Sequence, residues 1–169
     1  HRYPEQEIPG LEENEDAPDV SIVIPAYNEE QRLPAFMKDI LNYIEANSSR
    51  LSIEVVIVDD GSSDNTVEVA QKLAGENPSV RLLRQVRNQG KGAAVRRGML
   101  EAKGRYALYA DADGATPIRE LDKFIPFIEN RDKIVIGSRN ISAGDVKQER
   151  EGLRSVMGAA FYKMVNFLA

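Results

Sequence analysis

The 169 residues contain no cysteine, which excludes a disulfide scaffold and any thiolate metal site and fits a reducing compartment. Histidine is nearly missing too. The single one is His1, so neither imidazole catalysis nor a His-ligated zinc belongs to the folded part. No apolar run is long enough to cross a bilayer, and nothing reads as a signal peptide. Any chemistry must therefore come from carboxylates, Lys, Arg, Tyr and the backbone.

The net charge of -5 is unevenly spread. Residues 1–19 hold seven acids against Arg2 alone, with three prolines and few apolar side chains, and they read as a disordered acidic tail or linker. The remainder carries 21 basic and 20 acidic residues, close to neutral, and no nucleic-acid partner is expected of it. A chain that starts at His rather than Met is expected to be a piece of a longer protein. Its size fits one domain with a real core.

What is present is an alternation. VSIVIPAYN (Val20–Asn28) reads as a buried strand ended by Pro25, and Leu33, Phe36, Met37, Ile40, Leu41 and Ile44 then fall on one helical face. EVVIVDDGSSD (Glu54–Asp64) is a second strand running into a turn, with Asp64 capping a helix that bears Val67, Ala70, Leu73 and Ala74. VRLLRQ (Val80–Gln85) is a third strand, NQGKGAAVRRG opens a third helix, and RYALYAD is a fourth strand. Thr116 and Pro117 read as N-cap and first residue of a helix with Leu121, Phe124, Ile125 and Ile128, and KIVIGSR (Lys133–Arg139) is a fifth strand. The pattern predicts an α/β fold: a mostly parallel sheet with helices on both faces. Ligands of such sheets bind beyond the carboxyl ends of the strands, where four polar clusters fall: Tyr27–Glu30, Asp59–Asp64, Asn88–Gly92 and Asp111–Thr116.

Each cluster allows a plain structural role and a functional one. Asp111-Ala112-Asp113 leaves a strand at the ligand edge, and two hard oxygen ligands there suit Mg2+ or Mn2+ shared with a diphosphate; the plain alternative is a turn whose aspartates accept backbone N–H groups. Asp60 is placed to accept a pyrimidine N3–H or a ribose hydroxyl, whereas Asp64 is a cap. Gly90-Lys91-Gly92 fits neither a dinucleotide fingerprint nor a Walker loop, and leaves a lysine and backbone N–H groups at a helix start as a modest anion site. Arg96 and Arg97 read as a solvated face.

Taken in order, PAYNEE (Pro25–Glu30), VDDGS (Val58–Ser62), NQGKG (Asn88–Gly92), DADGAT (Asp111–Thr116) and GSR (Gly137–Arg139) resemble the family 2 glycosyltransferases of GT-A fold over residues 20–139. YNEEQRLP, NQGKGAAVRRG and DADGAT are most similar to the dolichyl-phosphate β-glucosyltransferases, and Gly114 leans towards UDP-glucose over GDP-mannose. The resemblance implies an inverting transfer of glucose from UDP-glucose to a polyprenyl phosphate, with Mg2+ or Mn2+ as cofactor. It assigns Pro25, Ala26, Tyr27, Glu29, Val58, Asp60 and Ala112 to nucleotide-sugar binding. Asp111 and Asp113 would meet the ribose, diphosphate and metal, Asp113 more directly, while Lys91 and Arg139 would face phosphates or sugar. Asp111, Asp113 and Arg139 are thereby the expected catalytic residues. The location implied is the cytosolic face of the endoplasmic reticulum membrane in a eukaryote, or of the plasma membrane in a prokaryote.

Relatives continue beyond this C-terminus with a DTQCGFK-like motif, so the chain is expected to hold the donor half of the fold and to lack most of the acceptor half. Residues 140–169 then comprise a loop and the start of the acceptor- or membrane-facing part. There Leu153, Val156, Met157, Ala160, Phe161, Met164, Val165 and Leu168 trace an apolar stripe, read either as core or, with Arg150, Arg154 and Lys163 nearby, as a helix on a membrane surface. Two alternatives stay open: another polyprenyl-phosphate glycosyltransferase using GDP-mannose, UDP-N-acetylglucosamine or UDP-galactose, or a nucleotide-sugar-binding part without catalysis.

Overall fold

A computed structural model describes residues 16–126. The elements alternate as expected: β1 (Val20–Ala26), α1 (Leu33–Asn47), β2 (Ile53–Asp59), α2 (Thr66–Glu76), β3 (Val80–Arg84), α3 (Lys91–Glu101) and β4 (Tyr106–Tyr109), then a short 3-10 helix, Ile118–Lys123. The strands described form one parallel sheet in the order β3-β2-β1-β4. The expected strand at Lys133–Arg139 and the stripe from Leu153 to Leu168 lie outside the described residues.

Period-two alternation sorts the apolar side chains onto two faces. Ile22, Ile24, Val55 and Ile57 pack with Leu33, Phe36, Met37 and Ile40 of α1 and Ala70 of α2. Val23, Val56 and Val58 pack on the opposite face against Ala94 of α3. That second layer is thin because α3 comes very close: a Cβ on Gly98 would lie 2.3 Å from Val23 Cγ1 and 2.9 Å from Val58 Cγ2. Only glycine allows that approach without moving the helix.

Pro25 does not end β1. The strand continues to Ala26 and pairs with β2 through Pro25↔Val58 and Ala26↔Asp59. In a parallel ladder, alternate residues turn their N–H and C=O groups to opposite neighbours. The Asp60 N–H donates to Ala26 O on the β2 side, whereas Ala110 N–H donates to Val23 O on the β4 side. Pro25 therefore faces β4, where pairing stops at Val23↔Tyr109. A residue with no N–H stands where the next bond of that ladder would form. The ladder ends, and β1 and β4 part.

Two further expectations shift. Thr116-Pro117 does not open an α-helix; Pro117 is extended, and Ile118–Lys123 winds as a 3-10 turn that still buries Leu121. Pro18 and Asp19, placed with the acidic tail, are already tied in: Arg105 N–H donates to Pro18 O, and the Asp19 carboxylate accepts from the Ser52 backbone and hydroxyl.

Candidate functional site

The order β3-β2-β1-β4 places a topological switch between β1 and β4, because the chain leaves β1 towards β2 and returns to its other side as β4. A crevice outside the carboxyl ends of such strands is where open α/β sheets take ligands. A cavity of about 220 Å3 sits there, lined by Pro25 and Ala26 at the end of β1, Tyr27 and Glu29 beyond it, Asp60 after β2, Asn88, Gly90, Lys91 and Ala94 at the head of α3, and Asp111–Asp113 after β4. Loops from four strands converge on one place.

Much of the polar sequence around the cavity holds the loops to one another. Asn28, at φ 56, accepts the Ser63 N–H at its side-chain oxygen and donates its own N–H to Ser62 Oγ. Glu29 N–H donates to Thr66 Oγ1, Glu30 N–H to Asp64 Oδ2, and Asn65 returns two bonds to Glu30 Oε2. Asp64 also accepts the Thr66 N–H at 3.0 Å, so it caps α2 from one residue outside the N-cap, Asn65. Burial works against its charge, but the Thr66 and Glu30 donors outweigh that and hold its carboxyl below the usual range. This lacing explains most of YNEE and GSSDNT without any ligand. It also fixes the loop that carries Tyr27 and Glu29.

A second clamp sets the head of α3. Both Asp60 oxygens accept backbone N–H groups, from Gln89 and from Gly90, each at 2.8 Å. Asp60 is 2% exposed, and its neighbour Gly61, at φ +71, lies so close to the Arg87-Asn88 backbone that a Cβ would come within 2.6 Å. The carboxylate thus positions Gly90 and Lys91. With about four lone-pair sites it keeps acceptor capacity for a ligand.

Lys91, the first residue of α3, reaches across to Asp111 and forms an ion pair with Oδ1, the oxygen that also accepts the Tyr109 hydroxyl. Its Nζ lies 5.5 Å from the Tyr109 ring centroid. Burial pushes the Asp111 carboxyl up, but the Lys91 and Tyr109 hydrogen bonds outweigh it and keep the group below the usual carboxylate range. Hydrogen bonds of Lys91 with Asp111 first, and with Tyr109, hold it above the ordinary lysine value. Asp113 Oδ1 accepts the Ala115 N–H in the turn closed by Gly114, at φ +66. The turn role expected of the pair therefore describes part of Asp113, whereas Asp111 joins the turn through its backbone carbonyl and not through its carboxylate.

The donor set suits a divalent cation. Among the described residues no group of three or more acidic or histidine side chains could cage a metal. Two carboxylates at a cavity mouth are what Mg2+ or Mn2+ takes when substrate phosphates and water fill the other positions.

Of the residues expected from the sequence, Pro25, Ala26, Tyr27, Glu29, Asp60, Lys91, Asp111, Ala112 and Asp113 all line this cavity. Val58 does not: it is fully buried beneath α3, on the same face as Val56. Counting alternate residues back from Asp60 would have assigned it there. Arg139 lies outside the described residues. Asn88 and Ala94 were missed; Asn88 was marked by its place in NQGKG, whereas nothing in the sequence singles out Ala94.

Comparison with known proteins agrees with this geometry. Residues from TarS of S. aureus superpose with a TM-score of 0.55 at 23% identity, covering 66% of this chain and 32% of that one. A mannosyltransferase from Pyrobaculum calidifontis, solved with GDP-Man and Mn2+, gives 0.51 at 27% identity over 62% and 30%. The architecture is the GT-A fold of nucleotide-sugar transferases. The profile described as glycosyl transferase family 2 matches residues 21–168, and the chain belongs to that family. Among curated relatives, the dolichyl-phosphate beta-glucosyltransferase of Drosophila melanogaster is 40% identical over 89% of this chain and 50% of its own length. The protein of that name from Homo sapiens is 37% identical over 88% and 49%. The chain thus spans about half the length of the curated relatives it matches. No helix among the described residues is long and apolar enough to cross a membrane.

Proposed function

We propose that this chain is the donor-binding part of a dolichyl-phosphate β-glucosyltransferase, which takes UDP-glucose as donor and a polyprenyl phosphate as acceptor at the cytosolic face of the endoplasmic reticulum membrane. The observation that carries the reading is the convergence of Tyr27, Glu29, Asp60, Lys91, Asp111 and Asp113 on one cavity at the β1–β4 switch, in a chain 34–40% identical to proteins of that name. Tyr27, 46% exposed at the cavity, offers a ring for a base, and Asp60 offers an acceptor for its N–H. Lys91 and the head of α3 face the region a diphosphate would occupy.

The reaction needs no histidine. A polyprenyl phosphate has a second pKa of about 6 and is largely dianionic at neutral pH, so its oxygen attacks without a general base. The new C1–O bond forms as the bond from C1 to the UDP β-phosphate oxygen breaks, that electron pair leaves with UDP, and the configuration at C1 inverts. Asp113 and Asp111 would hold the dication, which when bound supplies positive charge to the leaving diphosphate. Arg139 is assigned to the phosphates or sugar by the same proposal.

The mannosyltransferase neighbour makes a GDP-sugar donor the competing reading. Calorimetry with UDP, GDP and ADP in Mn2+ decides between them. UDP is expected to bind at least about tenfold more tightly, a difference of about 1.4 kcal/mol. Equal affinities would remove the uridine assignment. Transfer of labelled glucose to dolichyl phosphate then tests the reaction itself, and tight UDP binding without transfer would leave only a nucleotide-sugar-binding part.

A further inference from the structure

The pairing of Lys91 with Asp111 has a consequence for the site. Both groups are open to water, with side chains 62% and 44% exposed, so their ion pair is weak and readily exchanged. Yet the pair is well placed. Asp60 fixes the turn before α3 by accepting the Gln89 and Gly90 N–H groups, and Lys91 follows directly as the first helical residue. On the other side, the Tyr109 hydroxyl donates to the same Asp111 oxygen that Lys91 engages, which orients the carboxylate towards the lysine. Asp113, two residues on, has no such basic partner among the described residues; its described bond is to the Ala115 N–H.

We propose that Lys91 is an exchangeable counter-ion for Asp111: it holds that carboxylate while no dication is bound, and passes to the donor diphosphate when a dication takes its place. The inference rests on the dication reading given above. It deepens that reading by making metal and nucleotide binding interdependent. Without nucleotide, a dication must displace an ammonium group from Asp111, so the metal alone binds weakly. With nucleotide present, the displaced lysine finds a new anionic partner within its reach and the exchange loses most of its cost. Asp113 becomes the oxygen ligand available from the start, and Asp111 the one released by the donor.

Mn2+ titrations of the chain, read by the loss of free-ion electron paramagnetic resonance signal with and without UDP, test this directly. Lys91→Met is expected to raise the affinity for Mn2+ alone by about twofold to fivefold, the range an exposed pair supports. The same variant should weaken UDP binding at saturating Mn2+, and Lys91→Arg should stay near wild type in both. In an Asp111→Asn background the Mn2+ gain from Lys91→Met should vanish. Unchanged or weaker Mn2+ binding in Lys91→Met overturns the exchange. A gain that persists in the Asp111→Asn background also overturns it, since the lysine would then act only as general positive charge. Should no form bind Mn2+ even with UDP, the dication reading itself falls, and the exchange with it. Melting curves confirm that each variant is folded, and Lys91→Gln serves if Lys91→Met is not.

Discussion

The sheet carries a carboxylate paired with a base at each end, and the two pairs differ in almost everything else. At the amino end, Glu54 is 6% exposed and fully engaged. It accepts the Ser21 hydroxyl and the Lys103 N–H, each at 2.6 Å, and Arg81 Nε at 3.0 Å, while Gly104 N–H donates to Ser21 Oγ and Arg81 also reaches Glu101 O. That network ties the exit of α3 to β1, β2 and β3. At the carboxyl end the Asp111 carboxylate meets Lys91 in the open, with the Tyr109 hydroxyl as its other partner among the described residues. The lesson is that an ion pair's role follows from its desolvation. A buried, saturated carboxylate such as Glu54 cannot be given up without stranding its partners, whereas an exposed pair can be exchanged.

The sharpest way to break the comparison is to remove one carboxylate at each end of the sheet. Glu54→Ala leaves Arg81 Nε, the Ser21 hydroxyl and the Lys103 N–H without their acceptor, while Arg81 keeps Glu101 O. Stranding donors of this kind costs about 1–3 kcal/mol, with Arg81, 28% exposed, the one most able to turn to water. Urea unfolding should show that loss, and a change below about 1 kcal/mol would mean water replaces the carboxylate freely. Asp113→Asn should do the reverse. Its melting temperature is expected to stay within a few degrees, because the residue is exposed and its described bond is to a turn amide. Mn2+-dependent UDP binding should fall by about tenfold or more, as the site loses a charge that a hard cation requires. An Asp113→Asn protein that unfolds would make the pair a structural turn and not a ligand set.

The same contrast explains what could be read from the sequence. Apolar runs located β1 to β4 and helical stripes located α1 and α2, because burial leaves a local signature, while α3 was legible through NQGKGAAVRRG after a strand. Polar residues just after each strand located the cavity, since strand ends map directly onto the sheet's edge. Glu54 carried no such signal. It reads as the start of a strand, and its partners Ser21, Arg81 and Lys103 lie 27 to 49 residues away. Asp60 was read as a ligand residue, yet its clamp on Gln89 and Gly90 depends on a fold contact 29 residues distant. Pro25 reads as a strand stop in the sequence, where the direction of its missing N–H is not visible. The structure turns that missing donor towards β4, where it opens the cleft.

The finest test of the comparison is pH. Burial opposes the charge on Glu54, but the Ser21, Lys103 and Arg81 hydrogen bonds prevail, so its folded pKa lies below the ordinary 4.5. A depressed carboxyl stabilises the fold above its unfolded value, and that contribution is lost as pH falls through the folded one. Wild type should therefore lose stability relative to Glu54→Gln in the window from about pH 5 downward, by more than it loses relative to Asp111→Asn. Asp111 is depressed as well, but its carboxylate is 44% exposed and solvent screens the pair, so its share should be small. Urea unfolding at pH 7, 5 and 4 for the three proteins gives both slopes directly. A steeper acid dependence for Asp111 than for Glu54 would show that the Lys91 pair is locked in place like the one at the other end, and the distinction between a structural and an exchangeable pair would then fail.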